Sequence, residues 1–170
     1  MPASEGWFVV NVRDALWLTT EGGKRTSGSE TTFESPRFEF PQLAVRIHVL
    51  EPGEPNGLYH AETAQEAFLV LSGQCRLLVE GEERLLRQWD FFHSPAGTEH
   101  ICVGAGDGPC AILMVGARPE GWSARYPVSE LAARYGASAE REPPGPEGPY
   151  AGWEPSRRER PSYWDRLPWA

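Results

Sequence analysis

From Gln42 onward the chain alternates: Leu43, Val45, Ile47 and Val49 take every second place, with Ala44, Arg46, His48 and Leu50 between them. That period of two predicts a strand, stopped by the turn-forming run Glu51-Pro-Gly-Glu-Pro-Asn-Gly57. Further strands are predicted at Ala67 to Leu71, Cys75 to Glu80, Arg84 to Leu86, Asp90 to Ser94, Glu99 to Val103 and Cys110 to Val115. The turns between them fall at Gly73, at Gly81 with Glu82, at Pro95 to Gly97, and at Gly104 to Pro109. The last of these contains a GxGxG, but no helical pattern follows, so it reads as a hairpin loop rather than a dinucleotide cradle. Trp7 to Leu18 reads as a first strand region. Thr19 to Ser35, rich in Gly, Ser and Thr, reads as a loop or mobile flap. Beyond Gly116 only Val128 to Tyr135 looks helical, with Ser129 as N-cap and Gly136 at its end. From Glu140, Pro, Gly and charge dominate, yet Tyr150, Trp153, Tyr163, Trp164 and Trp169 recur. This predicts an extended arm whose aromatics dock on the barrel or on a partner subunit, against the alternative of a frayed tail.

Short apolar runs punctuated by 16 prolines and 18 glycines predict an all-β sandwich or barrel, and 170 residues suffice for one core. We divide the chain into an N-terminal strand and flap (1–41), a barrel core (42–118), and a short helix with an extended arm (119–170). A formal charge of −8 offers no positive field for phosphates or anionic membranes, which disfavours nucleic acid as a partner. Nothing approaches the roughly 20 apolar residues of a membrane span, and Met1 to Trp7 lacks the features of a secretory signal, so a cytoplasmic location is expected. Cys75, Cys102 and Cys110 form no CxxC pair and lie in apolar stretches, and are expected to be reduced and buried.

The candidate chemistry lies in two segments. In the first, His60 and Glu62 are two apart and leave an extended strand on the same face, and Glu66 follows where a turn can return it. In the second, WDFFHSPAGTEH from Trp89 to His100, a tight turn at Pro95 to Gly97 leads into His100. A strand pairing that set His100 beside the first segment would complete a cluster of metal-ligand types.

These segments resemble the two motifs of the cupin superfamily. His60, Glu66 and Gly73 stand at positions of the first motif, with three residues between 62 and 66 and six between 66 and 73. Asp90, Pro95, Gly97 and His100 stand at positions of the second, with sixteen residues between Gly73 and Asp90. The resemblance covers roughly Leu43 to Gly116. It implies a cupin double-stranded β-helix, a jelly-roll barrel, carrying a short C-terminal helix and a Pro/Trp-rich tail. It also implies one divalent metal ion (Zn, Mn, Fe or Ni), held in this family by three histidines and one glutamate. Here the implied ligands are His60, Glu62, Glu66 and His100. The chain departs from the pattern where Glu62 replaces a histidine, Trp89 a glycine and Gly104 an asparagine. With Glu62 as a ligand, the harder donor set disfavours copper(I); with Glu62 turned away, a two-histidine, one-carboxylate set remains. A degenerate cupin without metal is the structural alternative.

Period two sends Phe68, Val70 and Cys102 inward, and Cys75, Leu77 and Val79 with them, to make a mostly apolar pocket. Arg46 and His48 share a face of their strand: if inner, they supply an anion clamp and an acid or base, and if outer, a solvated surface. His93 and Tyr59 are further catalytic candidates, His93 from the surroundings of the metal or the rim, and Tyr59 with rim packing as the alternative. Two functions follow: an enzyme acting on a small organic molecule, with oxygenase or isomerase/decarboxylase-type chemistry at the metal, or a non-catalytic module that binds or senses a small ligand. The sheet edges such a barrel leaves open point to a homodimer.

Overall fold

A computed structural model describes residues 7–35 and 38–170, so most of the stretch read for a secretory signal lies outside the described residues. The strands are β1 (Leu16–Thr19), β2 (Ser29–Thr32), β3 (Leu43–Leu50), β4 (Ala61–Glu62), β5 (Glu66–Ser72), β6 (Gln74–Val79), β7 (Glu82–Arg87), β8 (Phe91–Ser94), β9 (His100–Ala105), β10 (Cys110–Ala117) and β11 (Ala124–Arg125). Each strand expected from Leu43 to Val115 is present, within two residues at either end. All the pairings are antiparallel. A six-stranded sheet runs β1-β2-β3-β10-β5-β8, a three-stranded sheet runs β7-β6-β9, and β11 pairs with β4. Among the described residues no helix is long and apolar enough to cross a membrane.

The stretch read as a flap is only partly a loop. Ser29–Thr32 is strand β2, paired with β1 and β3, with Ser29 and Thr31 buried. Its hydroxyls explain how so polar a segment enters a sheet: Thr31 Oγ1 donates to the Leu16 carbonyl at 2.8 Å, and Ser29 Oγ to Thr19 Oγ1 at 2.9 Å.

The core has three layers. Between the two large sheets lie Leu50, Phe68, Val70, Cys75, Leu77, Cys102, Cys110, Ile112 and Met114, with Val79 packed against them, which is the inward phase read from the sequence. The three cysteines are buried and free. On the outer face of the three-stranded sheet, Tyr59, Leu78, Ile101 and Val103 pack under Ala132 and Ala137 of the helical segment. The helix α1 (Glu130–Ala133) is shorter than the predicted span, but starts at Ser129, whose Oγ accepts from Ala132 N. It is followed by Gly136 at φ +68°.

On the outer face of the six-stranded sheet, Trp17, Ile47, Val49 and Ala111 pack under Tyr163 and Leu167 of the arm. The arm therefore docks on its own barrel. Arg157 exchanges backbone hydrogen bonds with Thr19 (2.9 and 2.8 Å), covering the β1 edge. Trp17 stacks on Trp169 and meets Trp164 edge-on. Arg160 lies 4.4 Å over the Trp164 ring.

The departures from the family pattern have physical readings. Trp89 has φ +74°, a left-handed conformation that glycine takes freely and that costs a tryptophan about 1–2 kcal/mol. Gly104 is required by close approach: a Cβ there would sit 2.1 Å from the Glu51 carbonyl oxygen.

Candidate metal centre

His60 and His100 meet because their backbones pair. His60 N donates to the His100 carbonyl at 3.1 Å and His100 N to the His60 carbonyl at 2.8 Å, an isolated antiparallel bridge that sets the two rings 5.0 Å apart. The Pro95–Gly97 turn returns the chain to this point, with Gly97 N donating to the Glu62 carbonyl at 2.7 Å. Glu66 enters from β5, whose inward face also carries Phe68, and Phe68 and Phe92 pack on the His100 ring. His60, Glu66 and His100 each offer one ligand atom, all within 4.8 Å of one another.

Hydrogen bonds prepare both imidazoles for coordination. His60 Nδ1 faces the Leu58 carbonyl at 2.7 Å and His100 Nδ1 the Thr98 carbonyl at 3.0 Å. A carbonyl can only accept, so the proton sits on Nδ1 and the Nε2 lone pair of each ring faces the cluster. Burial foremost, then the neighbouring His100, hold His60 below its ordinary pKa, which keeps it neutral near pH 7. His100 Nε2 and Glu66 Oε2 lie 3.1 Å apart, yet both are buried without an aligned hydrogen bond. Buried polar atoms normally find partners. A lone pair facing a carboxylate oxygen is repulsive unless a cation or proton lies between, so this donor set fits a divalent ion.

Glu62 stands beside the cluster. Its Oε1 is 3.7 Å from His60 Nε2, and its Oε2 accepts from Trp122 Nε1 at 2.8 Å. Burial, reinforced by the charge of Glu66, raises its pKa, while the Trp122 bond opposes the rise. Trp122 is half-exposed and carried no sequence signal for this role.

The centre opens on a cavity of about 540 Å³ with Phe68, Met114, Gly116 and Ala117 in its walls. Arg46 and His48 line it too, so their face of β3 is the inner one and the solvated alternative falls. Glu30, which sequence reading passed over inside the supposed flap, holds both. A smaller chamber of about 170 Å³ shares Arg46 and His48 with the cavity and has Tyr150 and Ser156 of the arm in its lining. The structure brings neither of the other two candidates to the cluster. His93 is on the exposed face of β8, opposite to Ser94. Tyr59, expected at the rim, is only 2 % exposed and belongs to the packing under the helix, its hydroxyl accepting from Gly81 N at 3.3 Å.

His48 gives a pH prediction. Burial first, and Arg46 after it, lower its pKa from the ordinary 6.5, against the charges of Glu30 and Glu66; the facing β10 residue, Ile112, is apolar. Unfolded chains thus bind this proton at a higher pH than the folded protein. Stability is full above about pH 6.5 and falls as the pH drops through the window below it. Thermal midpoints of metal-free protein measured from pH 7.5 to 5 are expected to decline with acid, and His48→Gln to make the decline shallower. An unchanged slope would remove His48 from the account.

Comparison with known proteins bears on the barrel. The profile of the cupin-domain family matches residues 46–116. A sugar phosphate isomerase of the cupin superfamily from Silicibacter pomeroyi superposes with a TM-score of 0.54 at 27 % identity, over 60 % of this chain and 66 % of that one. The polyketide cyclase RemF from Streptomyces resistomycificus superposes with a TM-score of 0.61 at 15 % identity, over 73 % of this chain and 88 % of that one. The second likeness is one of fold alone. Among curated proteins none matches this chain.

Proposed function

Because residues 46–116 of this chain form a cupin domain, we propose that the protein is a metal-dependent enzyme that moves a proton on a small organic molecule, as an isomerase or lyase does. The observation that carries this reading is the pair of buried atoms without a hydrogen bond, Glu66 Oε2 and His100 Nε2, where Glu66 and His60 line the wall of a substrate-sized cavity. His60, Glu66 and His100 would hold the ion, with Glu62 as the fourth donor, its second oxygen kept in place by Trp122. The bound ion would supply Lewis acidity, polarising a carbonyl or hydroxyl oxygen of the substrate.

The chain's own residues would do the rest. Phe68 and Met114 exclude water beside the centre, and His48, neutral near pH 7, offers an acceptor for the proton of a substrate hydroxyl elsewhere in the same cavity. The name of the Silicibacter pomeroyi relative, a sugar phosphate isomerase, supports proton transfer over oxygen insertion. A cytoplasmic homodimer belongs to the same proposal.

The test incubates metal-reconstituted protein in D₂O with a panel of short aldoses, ketoses and hydroxy acids, following solvent exchange at the carbon next to the carbonyl by NMR. Metal-dependent exchange of at least one of them is expected. Oxygen consumption without exchange would replace the reading by oxygenase chemistry. Saturable binding with neither would make the barrel a sensing or binding module.

A further inference from the structure

Away from His60, Glu66 and His100, the same cavity carries a second cluster of polar side chains, built on β2 and β3. One oxygen organises it: Glu30 Oε2 accepts from Arg46 Nη1 at 3.1 Å and lies 3.2 Å from His48 Nε2. Two atoms are left over. Arg46 Nε and His48 Nδ1 are both buried and neither has a hydrogen-bond partner. The Glu30 carboxylate 3.2 Å from Nε2 favours the tautomer with the proton on that nitrogen, so His48 Nδ1 presents a lone pair, whereas Arg46 Nε–H can only donate. A donor and an acceptor thus stand two residues apart on the inner face of one strand.

Charge narrows what they can bind. Two arginines line the cavity, and both are already matched, Arg46 by Glu30 and Arg118 by a two-point bond to Glu34 (2.6 and 2.8 Å). A phosphate or a second carboxylate would find no free cation here. An alcohol fits better, because its oxygen accepts from Arg46 Nε–H while its proton is donated to His48 Nδ1, relieving both unmet groups. On the sheet Arg46 and His48 stand across β10 from Phe68 and Val70, two strand spacings or about 10 Å away, and Glu66 lies a further two to four residues along β5. Met114 and Phe68 fill the ground between.

We propose that the Glu30–Arg46–His48 cluster is a hydroxyl-binding subsite, and that the substrate carries a metal-chelating oxygen at one end and an uncharged hydroxyl at the other, joined by an apolar stretch. This rests on the reading of His60, Glu66 and His100 as metal ligands.

The experiment titrates cobalt(II)-loaded protein with 6-hydroxyhexanoate, hexanoate and adipate, read from the cobalt absorption bands, with cobalt content measured separately. The hydroxy acid is expected to bind about tenfold more tightly than hexanoate, and adipate no better than hexanoate. His48→Phe and Arg46→Met should each bring the hydroxy acid to within about twofold of hexanoate. Adipate binding tightest, or no preference for the hydroxy acid, overturns the proposal, and this ranking in the unaltered protein decides even if a variant fails to fold. Protein that takes up no cobalt sinks the metal reading and the chelating end with it. The ranking of the three probes in metal-free protein, followed by the His48 ring NMR signals, then still decides hydroxyl against carboxylate.

Discussion

Glu66→Gln and His100→Ala should each weaken metal uptake by more than about a hundredfold, beyond the 10- to 100-fold loss typical when only a supporting hydrogen bond to a ligand is removed. Glu66→Gln is the cleaner variant, because it keeps shape and removes the charge. His100→Ala also empties a site that is 1 % exposed and wedged between Phe68 and Phe92. Uptake is read by elemental analysis after dialysis and by competition with a chelator. Stability gives an independent check. At free metal one hundred times its dissociation constant, binding adds about 2.7 kcal/mol, and a hundredfold weaker variant keeps only about 0.4 kcal/mol of that. For a chain of this length the difference is roughly 5–9 °C in thermal midpoint. Glu62→Gln is expected to fall between, with about a tenfold loss, since the Trp122 bond would hold its amide oxygen in place. Stoichiometric uptake in all three variants would mean that the ion, if any, sits elsewhere.

The second large effect lies far from the metal. Tyr163→Ala is expected to cost about 3–5 kcal/mol, the range for emptying a large aromatic site, and to lower the thermal midpoint by roughly 10 °C. Tyr163 is 6 % exposed and is set on Trp17, Ile47 and Val49. Its hydroxyl donates to Ser29 Oγ at 3.0 Å, with the Val49 carbonyl at 3.3 Å. Tyr163→Phe removes only that bond and should cost about 1 kcal/mol. The ratio of the two separates packing from hydrogen bonding in differential scanning calorimetry. Losses under 1 kcal/mol for both would mean that the arm does not hold this face.

The arm also explains what could and could not be read from the chain. Ligand types at motif spacing, His60, Glu66 and His100, were legible because the turns that gather them are short and marked by Pro95 and Gly97. The strands were legible because turn residues bound each short run, and in β3 because its period of two is plain. The orientation of β3 was not. Ile47 and Val49 look like the core side of a strand, yet they face the arm, while the polar set Arg46 and His48 lines the barrel. Alternation says that a strand has two faces, but which face is inner depends on what covers the other. Here that cover is Tyr163, 134 positions along the chain from Ser29. β2 was hidden for a related reason: Ser and Thr composition reads as loop, and only the hydroxyl bonds across the sheet make Ser29 and Thr31 fit to be buried. Trp122 could not be found at all, because nothing in an exposed tryptophan's neighbours says that its indole donates to Glu62.

Docking of the arm also has a bearing on the order in which the molecule assembles. During synthesis at about 5–20 residues per second, the strands from Leu43 to Ala117 are complete while Tyr163 to Trp169 are still to be added. Trp17, Ile47 and Val49 must wait uncovered for several seconds. In that interval the nascent chain presents an aromatic, aliphatic face of the kind that chaperones hold and that sticks to other chains, so slowed translation of the last stretch should raise aggregation more than slowing elsewhere.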